Sequence, residues 1–156
     1  MDEQTTREAR AVLQSLIGQS LCYGLKSPDT DLYDFGFGVI NEMTTRKNEK
    51  QMICAYSIHA ICRFKIIGRT GEHEVNMYFE DTPSEHFQTD VQRMIGLCVK
   101  RVALSDKNDL WLDLGDYWIV FATYENGKES WRYLAFDKSH VHLVASNAWL
   151  WISKEK

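Results

Sequence analysis

Leu16-Ile17-Gly18-Gln19-Ser20-Leu21 is answered 78 residues later by Met94-Ile95-Gly96-Leu97-Cys98-Val99. In step with this pair, Ser27 meets Ser105 and Asp31-Leu32-Tyr33 meets Asp109-Leu110-Trp111. After one inserted residue, Asp34-Phe35-Gly36 meets Asp113-Leu114-Gly115. Seven of about twenty positions are identical, far more than unrelated segments share. The spacing predicts a doubled unit in a single domain, 1–156, with one pseudo-repeat over 3–80 and a second over 82–153.

A helix precedes the matched segment in each copy. Ala9, Leu13, Leu16 and Ile17 fall at i, i+4, i+7 and i+8, one face of a helix, and Phe87, Val91, Met94 and Ile95 repeat the pattern. Thr82-Pro83-Ser84-Glu85 offers a Thr N-cap, a Pro at the first helical position and a Glu three residues past the cap; Thr5 and Glu8 are a weaker version. Gly18 and Gly96 end the helices, because glycine accepts the left-handed C′ conformation.

Strands follow. Leu21 to Leu25 with Asp31 to Gly38, and Val99 to Leu104 with Asp109 to Leu114, read as hairpins joined by polar turns. Tyr117 to Tyr124 and Glu129 to Phe136 read as a hairpin around Asn126-Gly127. In the first copy a polar connection over 41–51 leads into one long run, Met52 to Ile67, then a turn at Gly68 to Glu72 and a strand near Val75 to Phe79. His140 to Ala145 and Trp149 to Ile152 close the chain. The expected fold class is α+β: two tandem degenerate repeats, each a helix followed by antiparallel strands, with the helices packed on the sheet and the halves sharing one core.

Composition narrows the function classes. Of 156 residues, 44% are hydrophobic and 26% charged, with only two Pro, which suits a folded globular chain. The net charge is −4 and the densest basic run, Arg46-Lys47-Asn48-Glu49-Lys50, carries its own acid, so no basic face for nucleic acid is expected. No apolar run approaches the ~18 residues of a membrane span, and the polar, acidic start is unlike a signal peptide. The four cysteines form no C-x-x-C pair and are expected as reduced, mostly buried thiols in a cytoplasmic protein.

The clearest site-like feature is also doubled. Phe64-Lys65-Ile66 and Trp131-Arg132-Tyr133 set a cation between apolar residues, so alternation puts the cation on the opposite face. One expectation is that Lys65 pairs with Asp34 and Arg132 with Asp113, either fixing strand register or forming a site. His140-Val141-His142 places two imidazoles on one side of a strand; His59, His73 or Asp137 would have to complete a zinc site, and no spacing marks one of them, so no metal is expected. His59 and Cys62 are three residues apart on a strand and point to opposite faces, which leaves Cys62 a buried structural thiol. Ser27 and Ser105 sit in turns without a nucleophile motif. Trp131, Trp149 and Trp151 suit core or edge protection, or a partner surface.

At Ile58-His59-Ala60-Ile61-Cys62-Arg63-Phe64-Lys65-Ile66 and Glu129-Ser130-Trp131-Arg132-Tyr133 the chain resembles a group of small bacterial proteins of unknown function. Their pattern has an Ile-Gly strand opening, a middle strand L-H-x-x-C-x-(F/W)-R-(I/F) and a late E-x-W-R-(L/F) strand followed by His-x-x-Val, where His140-Val141-His142-Leu143-Val144 stands here. The resemblance spans most of residues 16 to 145, and Lys65 departs from it where the group has arginine, which removes a bidentate fork. It implies no catalytic residues; by analogy, some small proteins of this kind act as immunity proteins against toxins. The sequence therefore predicts a non-catalytic binding or interaction protein without cofactor, taking a protein partner and with homodimerisation open. Asp34, Lys65, Asp113, Trp131, Arg132, His140 and His142 are the candidate binding residues. The rival expectation is an enzyme or small-ligand binder using a cleft between the repeats.

Overall fold

Helix α1 (Glu3–Leu13) begins where Asp2, rather than the expected Thr5, caps it: the Asp2 carboxylate accepts the Gln4 N–H at 3.0 Å. A 3₁₀ turn, Gln14–Leu16, tightens its end. In this computed structural model, which describes residues 2–44, 46–68, 75–78, 84–137 and 139–154, the chain then runs β1 (Leu21–Lys26), β2 (Tyr33–Thr44), β3 (Lys50–Ala60), β4 (Arg63–Gly68), β5 (Val75–Tyr78) and α2 (Ser84–Met94). It continues through β6 (Arg101–Leu104), β7 (Leu110–Asp113), β8 (Tyr117–Ala122), β9 (Trp131–Ala135), β10 (Val141–Ala145) and β11 (Leu150–Lys154). The expected Thr82 cap, Pro83, His73 and the turn after Gly68 lie outside the described residues.

The class is α+β, mostly strand, with two antiparallel sheets and two helices. The larger sheet has the order β1-β2-β3-β9-β10-β11 and the smaller β5-β4-β8-β7-β6. Each joins three successive strands of one half of the chain to strands of the other half. The inner faces share one cluster of buried residues drawn from both sheets and both helices. At its centre Tyr33, Phe35, Phe64 and Phe87 meet edge to face, with Tyr33 and Phe64 at 4.8 Å and Phe35 and Phe87 at 5.6 Å between centroids. Ala9, Leu13 and Leu16 of the first helical segment and Phe87, Val91 and Met94 of the second are buried in this cluster.

Three expectations about the strands are corrected. The run Met52 to Ile67 is two strands in different sheets, because the chain turns at Ile61 and Cys62, where the Ile61 N–H is taken by Ser130 O at 3.0 Å. The strands flanking Asn126-Gly127 do not pair with each other: β8 lies beside β4 and β7, while β9 crosses to lie between β3 and β10. The connection over 41–51 is largely strand, with β2 and β3 paired out to Thr44 opposite Lys50.

The helices do not lie on a sheet face either. Helix α1 packs against β11 and β6, edge strands of the two sheets, and α2 against β1, the other edge of the larger sheet. Their placement leaves the outer faces of the sheets open. Ile17 and Ile95, expected on the buried helical faces, are each 41% exposed, because both helices have ended by then. The cysteine expectation is also corrected: Cys22 and Cys54 are disulfide-bonded, Cys62 is buried and free, and Cys98 is exposed and free.

The two halves meet at an antiparallel bridge between Ser20 and Cys98. Around it the Gly18 N–H bonds to Val99 O at 2.8 Å and the Gly96 N–H to Leu21 O at 2.9 Å. The Leu21 N–H bonds to Leu97 O at 3.0 Å and the Val99 N–H to Gln19 O at 2.9 Å. Every bond in this set maps onto another when residue numbers shift by 78. Gly18 and Gly96 hold φ of 87° and 91°, a left-handed conformation that side chains disfavour.

Candidate functional site

One row of directly opposed residues crosses all six strands of the larger sheet: Leu25, Asp34, His59, Arg132, Val144 and Trp151. Alternation assigns it to the outer face, since the neighbours Tyr33, Phe35, Ile58, Ala60, Trp131 and Tyr133 are buried inside. Its ends are apolar and open, with Leu25 54% and Trp151 51% exposed. Its middle is charged.

Asp34 is the hub. Its Oδ1 accepts from Ser57 Oγ at 2.5 Å and lies 3.4 Å from His59 Nε2, and its Oδ2 accepts from Tyr23 OH at 3.0 Å. Gly36 makes this geometry possible: a Cβ there would lie 2.3 Å from Tyr23 Cε2, so only glycine lets the ring lie across β2. Burial raises the Asp34 pKa, but the His59, Ser57 and Tyr23 donors outweigh it and hold the carboxyl below its usual range. Tyr23 is pushed the other way, to about 12, first by burial. The result is an anchored anion that orients an imidazole on an exposed sheet.

Beside His59 and Arg132 a pocket of about 240 Å³ opens, lined by Leu32, His59, Ile61, Glu129, Trp131 and Arg132. The Arg132 Nε donates to Glu129 Oε1, three residues earlier in the chain. A broader cleft of about 450 Å³ lies elsewhere, between α1 and the turn after β6, among Glu3, Arg7, Arg10 and Asp106.

The sequence-expected residues divide. Asp34 and Arg132 share the row, with His59 between them, and His142 stands two residues from Val144 on the same face, its ring edge-on to Trp151 at 5.6 Å. Neither expected ion pair forms. Lys65 is exposed on β4 in the other sheet, away from Asp34, while Asp113 is buried and bonded to Arg101 at 2.9 Å, and Arg132 bonds to Glu129. The alignment of Asp34 with Asp113 slips by one position: Asp34 faces Leu25, whereas Ala103, the 78-residue counterpart of Leu25, faces Trp111. Trp131 is fully buried and its Nε1–H donates to Asn108 O at 2.9 Å. His140 precedes β10 in a left-handed conformation, φ 46°, so it does not share a strand face with His142.

No protein family, curated protein or solved structure matches the chain. Its chemistry rests on these residues alone. Among the described residues no group of three His, Cys, Asp or Glu side chains is placed to hold a metal, and no helix is long and apolar enough to cross a membrane. Sequence reasoning missed Tyr23, Ser57 and Glu129. Their only signal was polarity at outward positions of apolar strands, and which of them meet depends on strand order.

Proposed function

We propose that the chain is a non-catalytic binding protein that engages a protein partner through the outer face of its larger sheet. The observation that carries this reading is the six-residue row, with exposed Leu25 and Trp151 flanking Asp34, His59 and Arg132. Aromatic and arginine anchors around a fixed charge are what interface hot spots use. The Ser57 and Tyr23 hydroxyls are spent on holding Asp34, so neither is set up by His59 as a nucleophile. Hydrogen exchange on the chain with its captured partner tests this. Protection concentrated on β2, β3, β9 and β10 supports the reading, and protection confined to β7 and β8 contradicts it.

We further propose that the domain arose by doubling of one unit, residues 3–80 and 82–153, whose descendants share a core. The reciprocal bonds around Ser20 and Cys98 support this, as does the exchange of strands, β1-β2-β3 with β9-β10 and β6-β7-β8 with β4-β5. On this reading the two outer faces began alike and diverged: where the larger sheet carries Asp34, Ser57 and His59, the smaller carries Trp111, Trp118 and Val120 in the matching ladder positions. A network needed only for folding would have been kept on both. The cytoplasm remains the proposed place of action. The Cys22–Cys54 bond argues against it, because such bonds are rare in reducing compartments.

A further inference from the structure

We propose that the pocket beside the row is a receptor for one cationic side chain, an arginine or lysine carried by a basic protein partner. This rests on the binding reading above and names the chemistry at its centre. Leu32 and Ile61 supply apolar walls and Glu129 a carboxylate wall. Glu129 is only 27% exposed at its side chain, and its Oε1 takes Arg132 Nε while its Oε2 has no hydrogen-bond partner among the described residues. A carboxylate with a vacant oxygen, sunk beside apolar walls, is an acceptor without a donor. Arg132 cannot fill the pocket itself, since its side chain lies 43% exposed at the rim.

Charge selects the sign of the occupant. Asp34 adds a second anion on the far side of His59, so two carboxylates face one guanidinium and one imidazole, in a chain of net charge −4. An incoming alkyl cation would lay its methylenes on Leu32 and Ile61 and bring its N–H donors to Glu129 Oε2, a charge-assisted bond shielded from water. An incoming carboxylate would meet Glu129 and lose.

The test uses the full chain and methyl NMR signals of Leu32 and Ile61. Titration with n-butylguanidinium should shift these methyls saturably, and the neutral isostere n-butylurea should bind about tenfold more weakly or worse. The E129Q variant should lose the guanidinium response while the Trp131 indole N–H signal, a report on the intact core, stays in place. Equal shifts from butylurea, or none from either probe, overturn the proposal. The capped peptide Ac-Gly-Arg-Gly-NH2 should bind at least as tightly as free arginine; clear preference for the free amino acid assigns the pocket to a small molecule and overturns it too. Partner capture that fails with Trp151→Glu but survives Glu129→Gln would leave the binding face standing and remove the cation pocket.

Discussion

The ring of Tyr23 lies across Gly36, so close that a methyl group on Gly36 would come within 2.3 Å of Tyr23 Cε2. A strand position without a side chain thus sets the direction of a hydroxyl on the neighbouring strand. Gly36→Ala should displace the ring, break the Tyr23–Asp34 bond and destabilise the fold by about 1–3 kcal/mol. In a Tyr23→Ala background the same substitution should cost much less. Denaturant unfolding of the four proteins of this double-mutant cycle measures the coupling. A cost of Gly36→Ala that is the same in both backgrounds shows that the close approach is not what constrains the position.

Ser57 is fully enclosed and gives its hydroxyl proton to Asp34. Ser57→Ala should cost about 1.5–3 kcal/mol, the usual loss for a bond to a charged group. The pH dependence follows from Asp34, whose folded pKa lies below its unfolded value of 3.8. Such a group contributes stability that is fully present above the unfolded pKa and is lost as pH falls through the folded one. Unfolding free energies taken from neutral pH down through about pH 4 and below should therefore fall more steeply for the wild type than for Asp34→Asn. Parallel acid limbs would mean that the donors around Asp34 do not favour its charged form.

The cysteines give a count. Cys98 is exposed, Cys62 is buried with its thiol pushed up to about 12 chiefly by burial, and Cys22 and Cys54 are bonded to each other. A chromogenic disulfide reagent should therefore read one thiol in the native protein and two after unfolding without reductant. It should read all four after reduction. Protein taken from cells under alkylating conditions that shows four thiols at once would place the folded chain in a reducing compartment and make the Cys22–Cys54 bond dispensable.

The local alphabet of this fold was legible in the sequence. The buried stripes Ala9, Leu13, Leu16 and Phe87, Val91, Met94 follow helical spacing, and Phe64 and Ile66 turn inward around an outward Lys65 as strand alternation requires. The corner between β3 and β4 was not legible. Ile58, Ala60, Cys62, Phe64 and Ile66 are all buried, so the two-residue period runs through the turn unbroken, and neither glycine nor proline marks it. Asn126-Gly127 did make a turn, with φ of 76° at Gly127, but its flanking strands went to separate sheets because each has a better apolar partner there. The site suffered most from this. Asp34 and Arg132 were singled out for partners in their own copies, whereas strand order set them on either side of His59.

The claim that the larger sheet's outer face is where a partner binds is tested most directly by two matched substitutions of exposed tryptophans. Trp151→Glu alters the row on the larger sheet, and Trp111→Glu alters the outer face of the smaller sheet, where Trp111 is 39% exposed. Both positions are surface, so both variants should unfold at wild-type denaturant concentrations. In quantitative capture of the partner that the wild-type chain retains, Trp151→Glu should lose it and Trp111→Glu should keep it. Retention by Trp151→Glu together with loss by Trp111→Glu would put the binding face on the other sheet and contradict the account.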